Sequence, residues 1–107
     1  MDSITPTELK AWLDDPTRAK PVLLDVREDW EVKLCSLPSS SHIPMSSIPA
    51  QAQTLDRDAT MVLYCHHGGR SAQVGLYLER MGFKQIYNLT GGINAWSMQV
   101  DPGVATY

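Results

Sequence analysis

Residues 60–82 read TMVLYCHHGGRSAQVGLYLERMG, and this stretch decides the architecture. Thr60–Cys65 is a short, nearly continuous apolar run, the pattern of a strand covered on both faces. It breaks at once into His66-His67-Gly68-Gly69-Arg70. Apolar residues then recur at Val74, Leu76, Tyr77, Leu78 and Met81, which predicts a helix over 71–81 closed by Gly82. Strand, glycine turn and helix in that order form the repeating unit of a parallel sheet.

The flanking sequence repeats the alternation. Pro21–Val26 (PVLLDV) predicts a second strand, 83–89 a third around Ile86-Tyr87, and His42-Ile43 a short further one. Thr5-Pro6-Thr7-Glu8 is a helix start, with Thr5 as cap, Pro6 in the first turn and Glu8 closing a capping box. That helix turns Leu9, Trp12 and Leu13 to the core and stops at Asp15-Pro16. Residues 28–34 predict a short helix with Trp30 inward, and 48–55 another. Gly91-Gly92 opens a last helix carrying Ile93, Ala95 and Trp96. All three tryptophans, Trp12, Trp30 and Trp96, read as core. The tail from Asp101 is expected on the surface. The fold class is therefore α/β, with a parallel sheet and helices on both faces. Ligands bind such sheets at the carboxyl ends of strands, which selects Asp25-Val26-Arg27 and Cys65–Ser71.

Composition narrows the function classes. The 107 residues are 43% hydrophobic and 20% charged, and residues 1–107 read as a single domain. A net charge of −3 speaks against general nucleic-acid binding, which draws on a basic face. Two cysteines make no disulfide scaffold. Met1–Lys10 lacks an apolar run and no stretch approaches a membrane span, so a cytoplasmic protein without membrane contact is expected.

The chemistry converges on one loop. Cys65 ends a buried strand and opens a glycine-bearing turn into a helix. Backbone N–H groups of such a turn, with the helix N-terminus behind them, make an anion nest. Arg70 adds a charge, and His66 and His67 add charge or hydrogen bonds according to pH. Each effect favours thiolate over thiol, and hence a nucleophile. Arg70 stands five positions after Cys65, giving C-x4-R-S. Cysteine phosphatases resemble C-x5-R-[ST]; the shorter loop has less room for a tetrahedral phosphate and better suits one extra sulfur atom. Cys35, His42, Cys65, His66 and His67 lack the usual metal-ligand spacings, so no metal is expected. Cys35 reads as a partly buried free thiol, with resolution of a Cys65 persulfide as its other possible role.

Together the motifs resemble a single-domain rhodanese. Leu24-Asp25-Val26-Arg27-Glu28 is similar to the family's first signature, Cys65–Ser71 to its active-site loop, and Leu89–Trp96 (LTGGINAW) to its C-terminal signature. His42-Ile43-Pro44 resembles its Gly-His-Ile-Pro element, with Ser41 in place of glycine. The resemblance implies about five parallel strands flanked by helices. It also implies a sulfurtransferase in which Cys65 is the catalytic nucleophile. Its donor would be thiosulfate or another sulfane-sulfur compound, and its acceptor cyanide, a small thiol or a protein thiol, with no cofactor. His66, His67, Gly68, Gly69, Arg70 and Ser71 would bind substrate and persulfide, Arg70 by attracting an anionic donor. Asp25 and Arg27 would support the site, as a structural ion pair or, for Arg27, at its entrance. The alternative is a persulfide carrier that relays sulfur to a partner protein.

Overall fold

The computed structural model describes residues 1–107. Five parallel strands form one sheet: β1 (Asp2–Ile4), β2 (Val22–Asp25), β3 (Ser41–His42), β4 (Thr60–Tyr64) and β5 (Gln85–Leu89), in the spatial order β1-β5-β4-β2-β3. The helices are α1 (Pro6–Asp14), α2 (Asp29–Leu34), α3 (Ile48–Gln51, flanked by single 3-10 turns), α4 (Gly69–Arg80) and α5 (Gly92–Gln99). No helix is long and apolar enough to cross a membrane.

The central strand shows why both faces are dry. Side chains alternate along a strand. Met61, Leu63 and Cys65 face one layer, where Ile48 and Ala52 of the α3 region and Val74 and Leu78 of α4 complete a buried cluster. Val62 and Tyr64 face the other, against Leu9 and Trp12 of α1 and Ile93 and Trp96 of α5. The Tyr64 hydroxyl, buried below the second layer, is bonded to the Leu37 N–H at 3.2 Å and the Ser40 hydroxyl at 2.9 Å. The Trp12 indole N–H donates to the Ala19 carbonyl at 2.8 Å, tying down the turn after α1.

Local signals hold where they are strong. Thr5 caps α1, and its reciprocal bond with Glu8 completes the capping box, a feature worth about 1 kcal/mol. Three differences have physical causes. α4 begins at Gly69, two residues before the predicted start, because Gly68 takes φ +107° and serves as the cap. β1 is an edge strand of mostly polar residues in which only Ile4 is buried, so no apolar pattern marks it. Trp30 is 60% exposed rather than core; the inward position of the short helix α2 belongs to Glu31. Leu76 also faces outward, while Trp12 and Trp96 are buried.

β2 and β4 are adjacent, with Asp25 opposite Tyr64. Their carboxyl ends therefore release Val26-Arg27 and the Cys65 loop side by side, and α2 lies across them.

Candidate active site

Cys65 is buried at the end of β4. Its Sγ accepts from the Gly68 N–H at 3.1 Å and the Ser71 N–H at 3.4 Å, and the Ser71 hydroxyl stands 3.4 Å away. These donors exist because the chain turns sharply at Gly68 and enters α4, whose first N–H groups have no partner within the helix. The positive end of the α4 dipole faces the same sulfur. Burial by itself pushes the thiol pKa up. The Ser71 hydroxyl and the N–H groups of Ser71, Gly68 and Arg70 outweigh it, leaving Cys65 below the ordinary thiol value.

The loop is held from behind. Ile93 N–H donates to the Cys65 carbonyl at 2.9 Å, and Asn94 N–H to the His66 carbonyl at 3.1 Å. The unpaired N–H groups opening α5 thus take the loop's carbonyls away from the sulfur, and its N–H groups are left to face it. Gly92 makes this approach possible. It has φ +61°, and a Cβ there would lie 2.4 Å from the His66 oxygen and 2.5 Å from the Cys65 oxygen. Asn88, at the end of β5, closes the ring: its Nδ2 donates to the Gly68 carbonyl at 3.1 Å and its Oδ1 accepts from the Ser71 hydroxyl at 2.5 Å.

Sequence-predicted residues divide into two groups. Cys65, Gly68 and Ser71 form the cradle, with the Arg70 N–H beside them. Gly69 is the first residue of α4, with open space around it. His66 and His67 are not among the hydrogen-bond partners of the sulfur. Their rings stack on each other at 3.9 Å, His67 exposed, and His66 stacks face to face on Tyr107 at 3.8 Å and 7°. Burial, and then His67, lower the His66 pKa, so this ring is neutral near pH 7.

The cations are engaged. Arg27 is fully buried and does not line the entrance. Its guanidinium meets the Asp25 carboxylate through Nε at 2.9 Å and Nη2 at 2.7 Å, and donates to the Cys35 carbonyl at 2.7 Å and the Tyr107 hydroxyl at 3.0 Å. The pair lies within the motif and leaves out Glu28. Arg70 reaches back to Glu31, Nη1 to Oε1 at 2.6 Å and Nη2 to Oε2 at 2.8 Å, a two-pronged pair with the carboxylate buried. The Tyr107 hydroxyl also donates to Glu31 Oε2 at 2.5 Å. Arg70, against opposing burial, and then Tyr107 hold the Glu31 carboxyl down to about 2.

Glu31, Asn88 and Tyr107 escaped sequence reasoning. Glu31 carries a signal for a different role, since Glu28-x-x-Glu31 has capping spacing, and it does accept the Glu28 N–H at 3.1 Å. Asn88 had a topological signal: β5 neighbours β4, so its end borders the loop. Tyr107 had none. Cys35 is a free, partly buried thiol with its sulfur 3.8 Å from Arg27 Nη1. No three of the His, Cys, Asp and Glu side chains come together as a metal-binding group.

Comparison with known proteins agrees with this fold. The model of the rhodanese-like domain matches residues 5–99. Rhodanese-like/PpiC domain-containing protein 12 of Arabidopsis thaliana is 38% identical over 105 residues, covering 94% of this chain; the chain spans 35% of that longer protein. A sulfurtransferase of Allochromatium vinosum is 36% identical over 84 residues, 78% of each protein. The crystal structure of SSP1007 from Staphylococcus saprophyticus superposes with a TM-score of 0.85 at 37% identity, covering 98% of this chain and 99% of that one. With a strand-end cysteine cradled by backbone donors at the mouth of a five-stranded parallel sheet, and a family model that matches residues 5–99, the chain belongs to the rhodanese-like family.

Proposed function

We propose that the protein is a sulfurtransferase working through a Cys65 persulfide. The observation that carries this reading is the cradle around Sγ: the Gly68 and Ser71 N–H groups point at the sulfur with the Ser71 hydroxyl beside them, and no acidic or basic side chain hydrogen-bonds to it. Sulfur transfer needs no proton relay. The Cys65 thiolate attacks the outer sulfur of a sulfane donor. With thiosulfate, the new S–S bond forms as the old one breaks, and sulfite leaves with the bonding pair. Cys65–S–S⁻ remains, its terminal sulfur facing the donors that held the thiolate, an electrostatic role like that of an oxyanion hole. Cyanide or a thiolate then attacks the outer sulfur, and Cys65 thiolate returns. The two half-reactions are ping-pong. The sulfurtransferase among the relatives supports the same chemistry.

Purified protein treated with thiosulfate is expected to gain about one sulfur, ~32 Da, on the peptide bearing Cys65. A thiol should reverse the gain, and Cys65→Ser serves as the blank. No gain with thiosulfate, an alkyl persulfide or a thiosulfonate would overturn the proposal. The exposed Trp30, edge-on to Tyr107 at 5.9 Å beside the loop, favours the relay to a protein thiol as a second reading. Rapid transfer to a protein thiol beside slow thiocyanate formation would select it.

The cradle also makes a pH prediction. Because the donors stabilise the thiolate, alkylation of Cys65 by iodoacetamide should show its inflection below the pH of a free cysteine, about 8.5. Ser71→Ala removes one donor and leaves burial unopposed by it, so the inflection moves upward. An unchanged profile in that variant would show that the hydroxyl serves Asn88 alone.

A further inference from the structure

We propose that Glu31 is a specificity-determining residue: by neutralising Arg70 it turns the site away from dianionic donors and toward donors of lower charge, such as thiosulfonates and persulfides. This inference rests on the sulfurtransferase reading. The argument is one of charge and position. Arg70 is the cation of the Cys65 loop and feels the charge of the sulfur, and its guanidinium is matched atom for atom by a buried carboxylate. Tyr107 holds that carboxylate in place through its hydroxyl, and its ring is itself fixed on His66. Arg27, the other cation in the network, is buried and answered by Asp25. His66 is neutral near pH 7. The fixed groups around the thiolate therefore sum to no positive charge, and only N–H and hydroxyl dipoles face the sulfur.

A thiolate attacking thiosulfate brings three negative charges together, and the sulfonate end lies outside the cradle. With methanethiosulfonate, CH3SO2S⁻, the same attack gathers two. There Cys65 S⁻ bonds to the terminal sulfur, the S–S bond breaks and methanesulfinate leaves with the pair. A persulfide donor RSSH likewise leaves RS⁻ and places the outer sulfur and its proton on Cys65. The first two donors share their reacting atoms and differ by one charge, so the ratio of their kcat/KM values reads the field at the mouth. The ratio is also independent of the fraction of protein that is folded.

Glu31→Gln keeps the shape and leaves Arg70 unneutralised. It is expected to raise the thiosulfate-to-methanethiosulfonate ratio about tenfold, the effect of one added charge several ångströms from the substrate. Arg70→Gln leaves the Glu31 carboxylate unanswered and should lower the ratio below wild type. The wild-type protein supplies a measurement independent of any variant. From about 20 to about 200 mM salt, its kcat/KM for thiosulfate should hold or rise, since no free cation steers the donor in. A several-fold fall with salt, or a ratio unmoved by Glu31→Gln, overturns the proposal even where persulfide forms normally. Absence of persulfide with every donor fails the sulfurtransferase reading instead.

Discussion

Gly92→Ala is expected to cost about 3–5 kcal/mol of folding stability and to abolish most persulfide formation in whatever remains folded. Two costs add. A side chain at φ +61° carries about 1–2 kcal/mol of backbone strain. The new Cβ would also stand 2.4–2.6 Å from the Cys65 and His66 backbone, atoms with no rotamer to yield. Either α5 or the loop must move. Both moves stretch the Ile93 and Asn94 bonds that keep the loop carbonyls turned from the sulfur. A loop rotated by a fraction of an ångström loses its aim, since hydrogen bonds weaken steeply with misalignment. Gly69→Ala is the internal comparison. Gly69 opens α4 with nothing near its absent Cβ, and that variant should change stability by less than about 0.5 kcal/mol. Urea midpoints of the two variants, with mass spectra after thiosulfate treatment, test the pair. Equal midpoints would show that α5 and the loop are not in rigid contact.

Asp25→Asn carries the second large expectation, a loss of about 3–5 kcal/mol, because removing one partner strands a buried charge. Arg27 is wholly inaccessible and makes its charge-assisted bonds to Asp25 through Nε and Nη2, with the Arg27 N–H adding a third at 3.0 Å. An asparagine fills the same volume but carries no charge. The guanidinium cannot release its proton to escape, since its pKa is raised rather than lowered here: burial pulls it down, and Asp25 and Tyr107 more than offset that. Arg27→Met combined with Asp25→Asn should recover part of the loss, because a dry pair replaced by neutral groups is often close to neutral. The coupling is read from a double-mutant cycle of urea midpoints. A single-variant loss below about 1 kcal/mol would mean that water reaches the pair.

The residues that tie the site together show how far local sequence carries. Trp30 and Glu31 are neighbours, and hydrophobicity alone places the indole inside and the carboxylate outside. The structure reverses them. The inner side of α2 faces the Arg70 guanidinium and the Tyr107 hydroxyl, so a carboxylate there gains three charge-assisted bonds and its desolvation is repaid. The indole instead lies edge-on to Tyr107 at the rim. Arg27 is a similar case. Its motif suggested either an ion pair or a place at the entrance, and burial settles on the pair. His42, at the end of β3, is a hydrogen-bonding residue, its Nε2 2.7 Å from the Arg27 carbonyl. Asn88 and Gly92 act on the loop from β5 and α5, more than twenty residues downstream of Cys65 in the chain.

What the amino-acid sequence determined alone is contiguous. The alternation of strand and helix, the capping box of α1, the strand-end Cys65 and the glycine turn that follows it all depend on residues within a few positions of each other. There, backbone geometry leaves little freedom. Only the tertiary structure decided the charge of the site. Glu31 and Arg70 are 39 positions apart, and Tyr107 is 76 beyond Glu31. No local rule pairs them. They meet because adjacent parallel strands deliver α2 and the Cys65 loop to one end of the sheet and the C-terminal segment crosses it. Coulomb interaction depends on separation in space, so whether Arg70 acts as a free cation or a spent one was set by the packing.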